Sequence, residues 1–283
     1  MAKKTGGFLP ISKEDMVSRG WYYCDFLLVT GDAYVDHPSF GTAVISRVLE
    51  DAGYRVAILS QPDFRSEADF VAMGQPRYAV LINSGNIDSM VAHYTASKKR
   101  RHDDSYSPGG VGGKRPDRAV TVYAKLARRA FPNTPIYLGG LEASLRRFAH
   151  YDYWADHIMP SILQDAGADG LMFGMGEKSV LEIAANLKAG KRGPDVCKQV
   201  RGTAYFTKDA QDISFPRCVV SVYGRNSGGQ NQIRRIGKDT VRTARPYYGK
   251  SNCTKAWPSP AGAESAVHSA DDRGNGLGIR FAV

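Results

Sequence analysis

Asp25-Phe26-Leu27-Leu28-Val29-Thr30-Gly31-Asp32-Ala33-Tyr34-Val35-Asp36-His37-Pro38-Ser39-Phe40-Gly41 passes from an apolar run of strand length into a polar, glycine-bearing loop. From Ser39 the pattern turns helical: Phe40, Val44, Val48 and Ala52 recur at a spacing of four, and Gly53 supplies a stop. A strand, a short loop and an amphipathic helix in this order form the unit of an open α/β sheet. The loop then lies at the carboxyl end of the strand, where such sheets hold their ligands. Gly31, Asp32, Asp36, His37 and Ser39 are therefore the first candidate binding residues.

The same alternation repeats downstream. Strand-type runs occupy 55–60, 78–82, 136–138 and 170–173, and helical patterns occupy 66–73, 117–129 and 179–188. Five strands separated by helices predict a doubly wound, mostly parallel sheet. Right-handed crossovers place the loops after the first, third, fourth and fifth strands on one edge. Those loops add Ser84, Gly85, Asn86 and Asp88, then Gly139, Gly140 and Glu142, then Gly174, Gly176 and Glu177 as candidates. Glycine permits tight turns and close backbone approach to a ligand, although it also simply ends strands. Glu142 and Glu177 could accept hydrogen bonds from a ligand or complement a helix start. Asp36 could orient His37 or cap the helix beside it.

Composition narrows the function. No apolar run of about 18 residues is present, and Met1 to Gly7 lacks the apolar core of a signal peptide. Cys24, Cys197, Cys218 and Cys253 show no pairing or metal-binding spacing, which fits free thiols in a reducing cytoplasm. No residue is read as catalytic or as a metal ligand. The net charge is +10, but residues 206–283 hold 12 basic and 6 acidic residues against 26 and 22 in the remainder. The basic excess lies mostly in the tail, which argues against a nucleic-acid interface built into the α/β unit. The run Lys98-Lys99-Arg100-Arg101, beside a glycine-rich loop at 109–113, could hold phosphate. It lacks the order of a P-loop, and Asp103, Asp104 and Asp117 are at hand to pair with its bases.

Longer strings carry a resemblance. G-D-A-Y-V-D-H-P-S-F-G at 31–41, N-I-D-S-M at 86–90, R-H-D-D-S-Y-S-P at 101–108, K-R-P-D-R at 114–118 and G-G-L-E-A-S-L-R-R-F-A-H-Y-D-Y-W at 139–154 resemble the YgiQ-type radical SAM protein family over about residues 8–206. The resemblance implies a flavodoxin-like domain over 25–206, similar to cobalamin-binding modules, preceded by an arm at 1–24. It also implies a partner: a radical SAM barrel half carrying C-x-x-x-C-x-x-C, a [4Fe–4S] cluster and S-adenosylmethionine. This sequence has no such motif, so no cofactor is expected in this chain and it is read as inert alone. Cobalamin modules that ligate cobalt use D-x-H-x-x-G; here Asp36 and His37 are adjacent and Gly41 lies four after His37, so the spacing departs. A free-standing corrinoid- or nucleotide-binding module and a basic nucleic-acid binder are the rival readings.

Residues 207–283 are read as an irregular tail, polar at 226–232 and without period two or 3.6 over 254–270. Codons permitted for Gly274 to Val283, read one base later, spell E-M-D-W-V-F-D-L-P, similar to the family's continuation. The tail is thus expected to be out of frame, with the slip between about 206 and 250; a genuine basic extension is the alternative. The coding DNA tests this. The shifted frame is expected to run on into a cluster motif, and an early stop or the absence of that motif contradicts it.

Overall fold

A computed structural model describes residues 7–207 and the backbone of 217–221, 224–225, 231–232 and 278–282. Ser12 caps α1 (Lys13–Ser18) by accepting from the Asp15 N–H. The chain then enters β1 (Phe26–Thr30), every residue of which is buried, as expected of a central strand covered on both faces. There follow α2 (Gly41–Asp51), β2 (Val56–Ser60), α3 (Ala68–Met73), β3 (Ala79–Asn83), α4 (Ser89–His93), α5 (Ala119–Ala130) and β4 (Ile136–Leu138). Next come α6 (Gly140–Leu145), the hairpin β5 (His150–Asp152) and β6 (His157–Met159), α7 (Ile162–Ala166), β7 (Gly170–Met172), α8 (Glu177–Lys188) and β8 (Thr203–Thr207).

The main sheet runs in the order β2-β1-β3-β4-β7-β8, and the first five strands are parallel. Leu28 stands between Ile58 and Leu81, so β1 is the centre from which the sheet grows both ways. The strand order reverses between β1 and β3, the switch point where such sheets open a crevice.

The period-two alternation of each strand separates two cores. Leu27, Val29, Val80, Ile82 and Leu138 meet Phe70 of α3, Ala124 of α5 and Leu163 of α7. Phe26, Leu28, Leu81, Tyr137 and Met172 meet Leu49 of α2 and Val180 and Ile183 of α8. The predicted five-strand doubly wound unit is present.

Three expectations are corrected in detail. The first helix starts at Gly41 rather than Ser39, because Phe40 is still extended (φ −108°, ψ 114°). The helix expected from Asp117 starts at Ala119, after Arg118 in a left-handed conformation (φ 52°). The last helix starts at Glu177 rather than Ser179. A sixth strand, β8, is added antiparallel to β7.

Most of the tail lies outside the described residues, and with it most of the reading of 207–283. Four short strands are described there: β9 (Arg217–Ser221), β10 (Gly224–Arg225), β11 (Asn231–Gln232) and β12 (Gly278–Ala282). β12 pairs antiparallel with both β8 and β9, continuing the sheet. Among the described residues no helix is long and apolar enough to cross a membrane.

Candidate functional site

The loops after β1, β3, β4 and β7 meet at the carboxyl edge of the sheet, as right-handed crossovers require. Between that edge and helices α2 and α8 lies a cavity of about 300 Å³. Gly85, Gly139, Gly140, Gly174 and Gly176 border it together with Glu177, six of the candidates taken from the sequence. Its walls are apolar: Leu28, Leu81, Tyr137 and Met172 from the strands, Val44 and Ile45 from α2. Burial raises the Tyr137 phenol, so that side chain stays neutral.

The polar wall residues Thr42 and Asn83 are engaged with each other and with the sheet. Thr30 Oγ1 donates to Asn83 Oδ1 (2.9 Å), Thr42 Oγ1 donates to Thr30 Oγ1 (3.1 Å), and the Gly85 N–H donates to Asn83 Oδ1 (2.7 Å). Of the bordering residues only Glu177 carries a charge.

Beside the cavity the rim is tied by a buried ionic knot. The Arg115 side chain is fully buried. Its Nη2 lies 3.0 Å from Asp32 Oδ1 and 2.9 Å from Asp104 Oδ2. Its Nη1 donates to the Ser84 carbonyl (2.6 Å), and Asp32 Oδ2 accepts from the Asn86 N–H (2.7 Å). Loops after β1 and β3 are thereby joined to the long excursion before α5. The packing leaves no room for side chains at two glycines: a Cβ on Gly31 would lie 2.3 Å from the Ser84 carbonyl oxygen, and one on Gly85 1.9 Å from Asp32 Oδ1. Gly85 also has φ +100°. Burial pushes the Asp32 carboxyl up to about 6, and the nearby Asp104 charge adds to this, against the Asn86 N–H and Arg115.

Asn86 extends the rim by donating from Nδ2 to the Ser39 carbonyl (3.1 Å), while Ser84 Oγ donates to the Ile87 carbonyl (2.9 Å). Gly31, Asp32, Ser39, Ser84 and Asn86 are thus rim-building residues rather than cavity lining.

Four other candidates are corrected. Asp36 neither orients His37 nor caps α2; it pairs with Arg47, which holds its carboxyl below the ordinary range. His37 is exposed, and its Nδ1 accepts from the Ser39 N–H (3.1 Å). Asp88 caps α4 by accepting from the Met90 N–H (2.9 Å) and pairs with Arg146. Glu142 is fully buried away from the cavity, accepting from the Ser89 N–H (2.9 Å) and the Val120 N–H (3.1 Å). Burial and the Asp88 charge raise its carboxyl.

In the basic excursion the intramolecular reading holds for Arg115, while Lys98 and Arg100 lie over the rings of Tyr153 (4.7 Å) and Tyr94 (6.0 Å). Arg115, Thr42, Tyr137 and Met172 were missed as site residues: Tyr137 and Met172 read as strand core and Thr42 as part of a helix, and nothing in sequence order brings Arg115 to this edge.

A cluster site does not fit the described residues. Cys24 and Cys197 are buried in cores on opposite faces of the sheet, and burial pushes the Cys24 thiol up to about 12. No group of three or more His, Cys, Asp or Glu gathers as a metal site among the described residues.

The radical SAM N-terminal family profile matches residues 8–255. This chain belongs to the radical SAM N-terminal family. The match continues past Phe206, where the motif resemblance stopped. A "UPF0313 protein" of Clostridium botulinum (strain ATCC 19397 / Type A) is 57% identical over 206 residues, covering 73% of this chain and 32% of that relative. A "UPF0313 protein" of Clostridium perfringens (strain 13 / Type A) is 54% identical over 206 residues, covering 73% and 31%. The matched stretch thus spans about a third of these relatives' length. Among solved structures, the radical S-adenosylmethionine methyltransferase TsrM from Kitasatospora setae, with cobalamin and [4Fe–4S] cluster bound, overlaps with a TM-score of 0.41 and 19% identity, over 64% of this chain and 28% of that one. A likeness at that score does not extend to ligands.

The knot makes stability depend on pH. Asp32 moves from an ordinary 3.8 up to about 6 on folding, so within that window the native state keeps a proton that the unfolded chain has released. Its contribution is present at low pH and is lost as pH rises through about 6. Urea unfolding of wild type and Asp32→Asn is expected to show the wild-type advantage shrinking by about 1–3 kcal/mol between about pH 4 and pH 6. A pH-independent difference contradicts this.

Proposed function

We propose that this chain is the ligand-holding N-terminal region of a radical SAM protein of the YgiQ type. Its cavity binds an organic cofactor or substrate for a separate cluster-bearing barrel. The observation that carries the reading is the cavity itself: apolar, at the strand-order switch, and bordered by four loops. Family membership supplies the radical SAM context. In such proteins a [4Fe–4S] cluster reductively cleaves S-adenosylmethionine to a 5′-deoxyadenosyl radical that abstracts hydrogen. The radical chemistry is assigned to the barrel, and this chain is proposed to be inert without it.

The barrel is proposed to cover the carboxyl edge. Leu141 and Leu145 of α6, the helix that follows β4, and Met175 of the loop after β7 are 47%, 61% and 84% exposed, apolar side chains that suit a covering partner. Relatives about three times as long as the matched stretch have the chain to supply one. The buried free thiols support a cytoplasmic setting.

Binding is tested by thermal denaturation of the 283-residue chain with a panel of S-adenosylmethionine, corrinoids, nucleosides and long-chain alcohols. At least one is expected to raise the melting temperature, by about 5–10 °C at a hundredfold excess over its dissociation constant. Ile45→Trp, which fills the cavity, is expected to remove the shift. No shift with any member, or an equal shift in the variant, contradicts the reading.

A further inference from the structure

We infer that the face formed by the turn at 94–101 and the β5–β6 hairpin binds single-stranded nucleic acid. None of its residues borders the cavity, and the inference goes beyond the ligand-holding reading.

Charge is the first observation. The near balance of 26 basic and 22 acidic residues ahead of the tail hides a local excess. Lys98, Lys99, Arg100 and Arg101 are consecutive and exposed, and among the described residues none of them forms an ion pair. The carboxylates of the same two segments are mostly taken: Asp104 by Arg115, Asp117 by His93, Asp152 by Arg118 and Asp156 by the Tyr151 hydroxyl. That leaves Asp103 against four cations, a concentration that suits a phosphate backbone.

Order is the second. The Thr95 N–H donates to the Lys99 carbonyl (2.9 Å), the Lys98 N–H to the Thr95 carbonyl (2.9 Å) and the Arg101 N–H to the His93 carbonyl (2.7 Å), closing the turn. The Tyr153 hydroxyl donates to the Ala96 carbonyl (2.7 Å) and pins the hairpin to it. Cations held in place lose less entropy on binding.

Rings are the third. Tyr151 and Tyr153 are 48% and 45% exposed, while Asp152 between them is buried. Residues two apart share one face of an extended chain, so the two tyrosines stand on the same side. Trp154 packs beside Tyr153 (5.5 Å between ring centres) and Tyr94 (6.4 Å). Lys98 and Arg100 lie over the Tyr153 and Tyr94 rings, which interleaves charge with aromatic surface. At Arg101 and His102 the face continues into an open groove of about 480 Å³ lined by Ile87, Val91 and Tyr106, with Asp103 also at its border. Cations alone suit any polyanion. Half-exposed rings among cations suit one whose bases are open to stacking, which a single strand offers and a duplex or an acidic peptide does not.

Fluorescence anisotropy on the full chain uses a labelled oligouridylate of about 16 nucleotides, a duplex of equal length and polyglutamate. The single strand is expected to bind about tenfold or more tightly than either rival. Lys99→Gln with Arg101→Gln, both exposed, is expected to make the slope of log affinity against log salt shallower by about 1.4, the loss of two phosphate contacts. Tyr151→Ala and Tyr153→Ala are each expected to weaken binding about fivefold or more at unchanged slope. Tyr153→Phe, which loses the bond to Ala96 but keeps the ring, is expected to bind as wild type.

An unchanged slope in the double variant assigns binding to the basic tail and overturns the inference. Equal binding of the duplex or of polyglutamate, tyrosine variants that bind as wild type, equal losses in Tyr153→Phe and Tyr153→Ala, or no binding at all also overturns it. The ligand-holding reading is untouched by any of these results, since none of the altered residues borders the cavity.

Discussion

Arg115 sits without solvent exposure between two buried carboxylates, Asp32 and Asp104, and the functional edge of the molecule is built around that contact. Removing three charges from water is costly, and the cost is offset only if each finds partners of good geometry. Arg115 also reaches the Ser84 carbonyl and Asp32 Oδ2 accepts from Asn86, while Asp32 Oδ1 has no hydrogen-bond partner and meets Arg115 by charge alone. Replacing one partner would leave an uncompensated buried charge, so the three loops are held as a set. Burial, with a smaller contribution from the Asp104 charge, holds the Asp32 carboxyl above the ordinary range despite its ion pair with Arg115.

The knot and the cavity are two parts of one construction. Parallel strands deliver their loops to the same edge, and the two helix layers leave a gap where the strand order reverses. The knot fixes the loops after β1 and β3, and Gly85, which must be glycine because Asp32 occupies the space of its Cβ, also borders the cavity. Polar wall groups bonded to one another leave an apolar slot with a single carboxylate at its border. The exposed apolar side chains on the same edge fit a domain that is covered in the longer protein.

The fold was legible because the five parallel strands are short, mostly apolar runs, four of them followed within two residues by glycine, and repeated runs of that kind between helical patterns specify a buried parallel sheet. β8 was not, because Thr203-Ala204-Tyr205-Phe206-Thr207 reads as a strand but follows the last helix of the repeating pattern, where no parallel crossover remains to place it. At the site, glycine turns pointed correctly to the edge, since turn glycines and strand ends are local properties. Which face a carboxylate takes is not local. Glu142 and Glu177 each follow a glycine turn, yet Glu142 is drawn into the α5 side by the Ser89 and Val120 amides while Glu177 stays at the cavity. Arg115 looked like one base among many in a charged loop, and only the return of the excursion to the sheet edge buries it.

The central claim is that the Asp32–Arg115–Asp104 contact holds the edge in place while the sheet stands on its own packing. Amide hydrogen exchange of Arg115→Met against wild type measures this directly. Protection is predicted to fall at Asn86, Tyr106 and Ser107, whose amides are bonded within the rim, and to persist in β1, β3 and β4. Unchanged protection at the rim, or its loss throughout the sheet, would contradict the account.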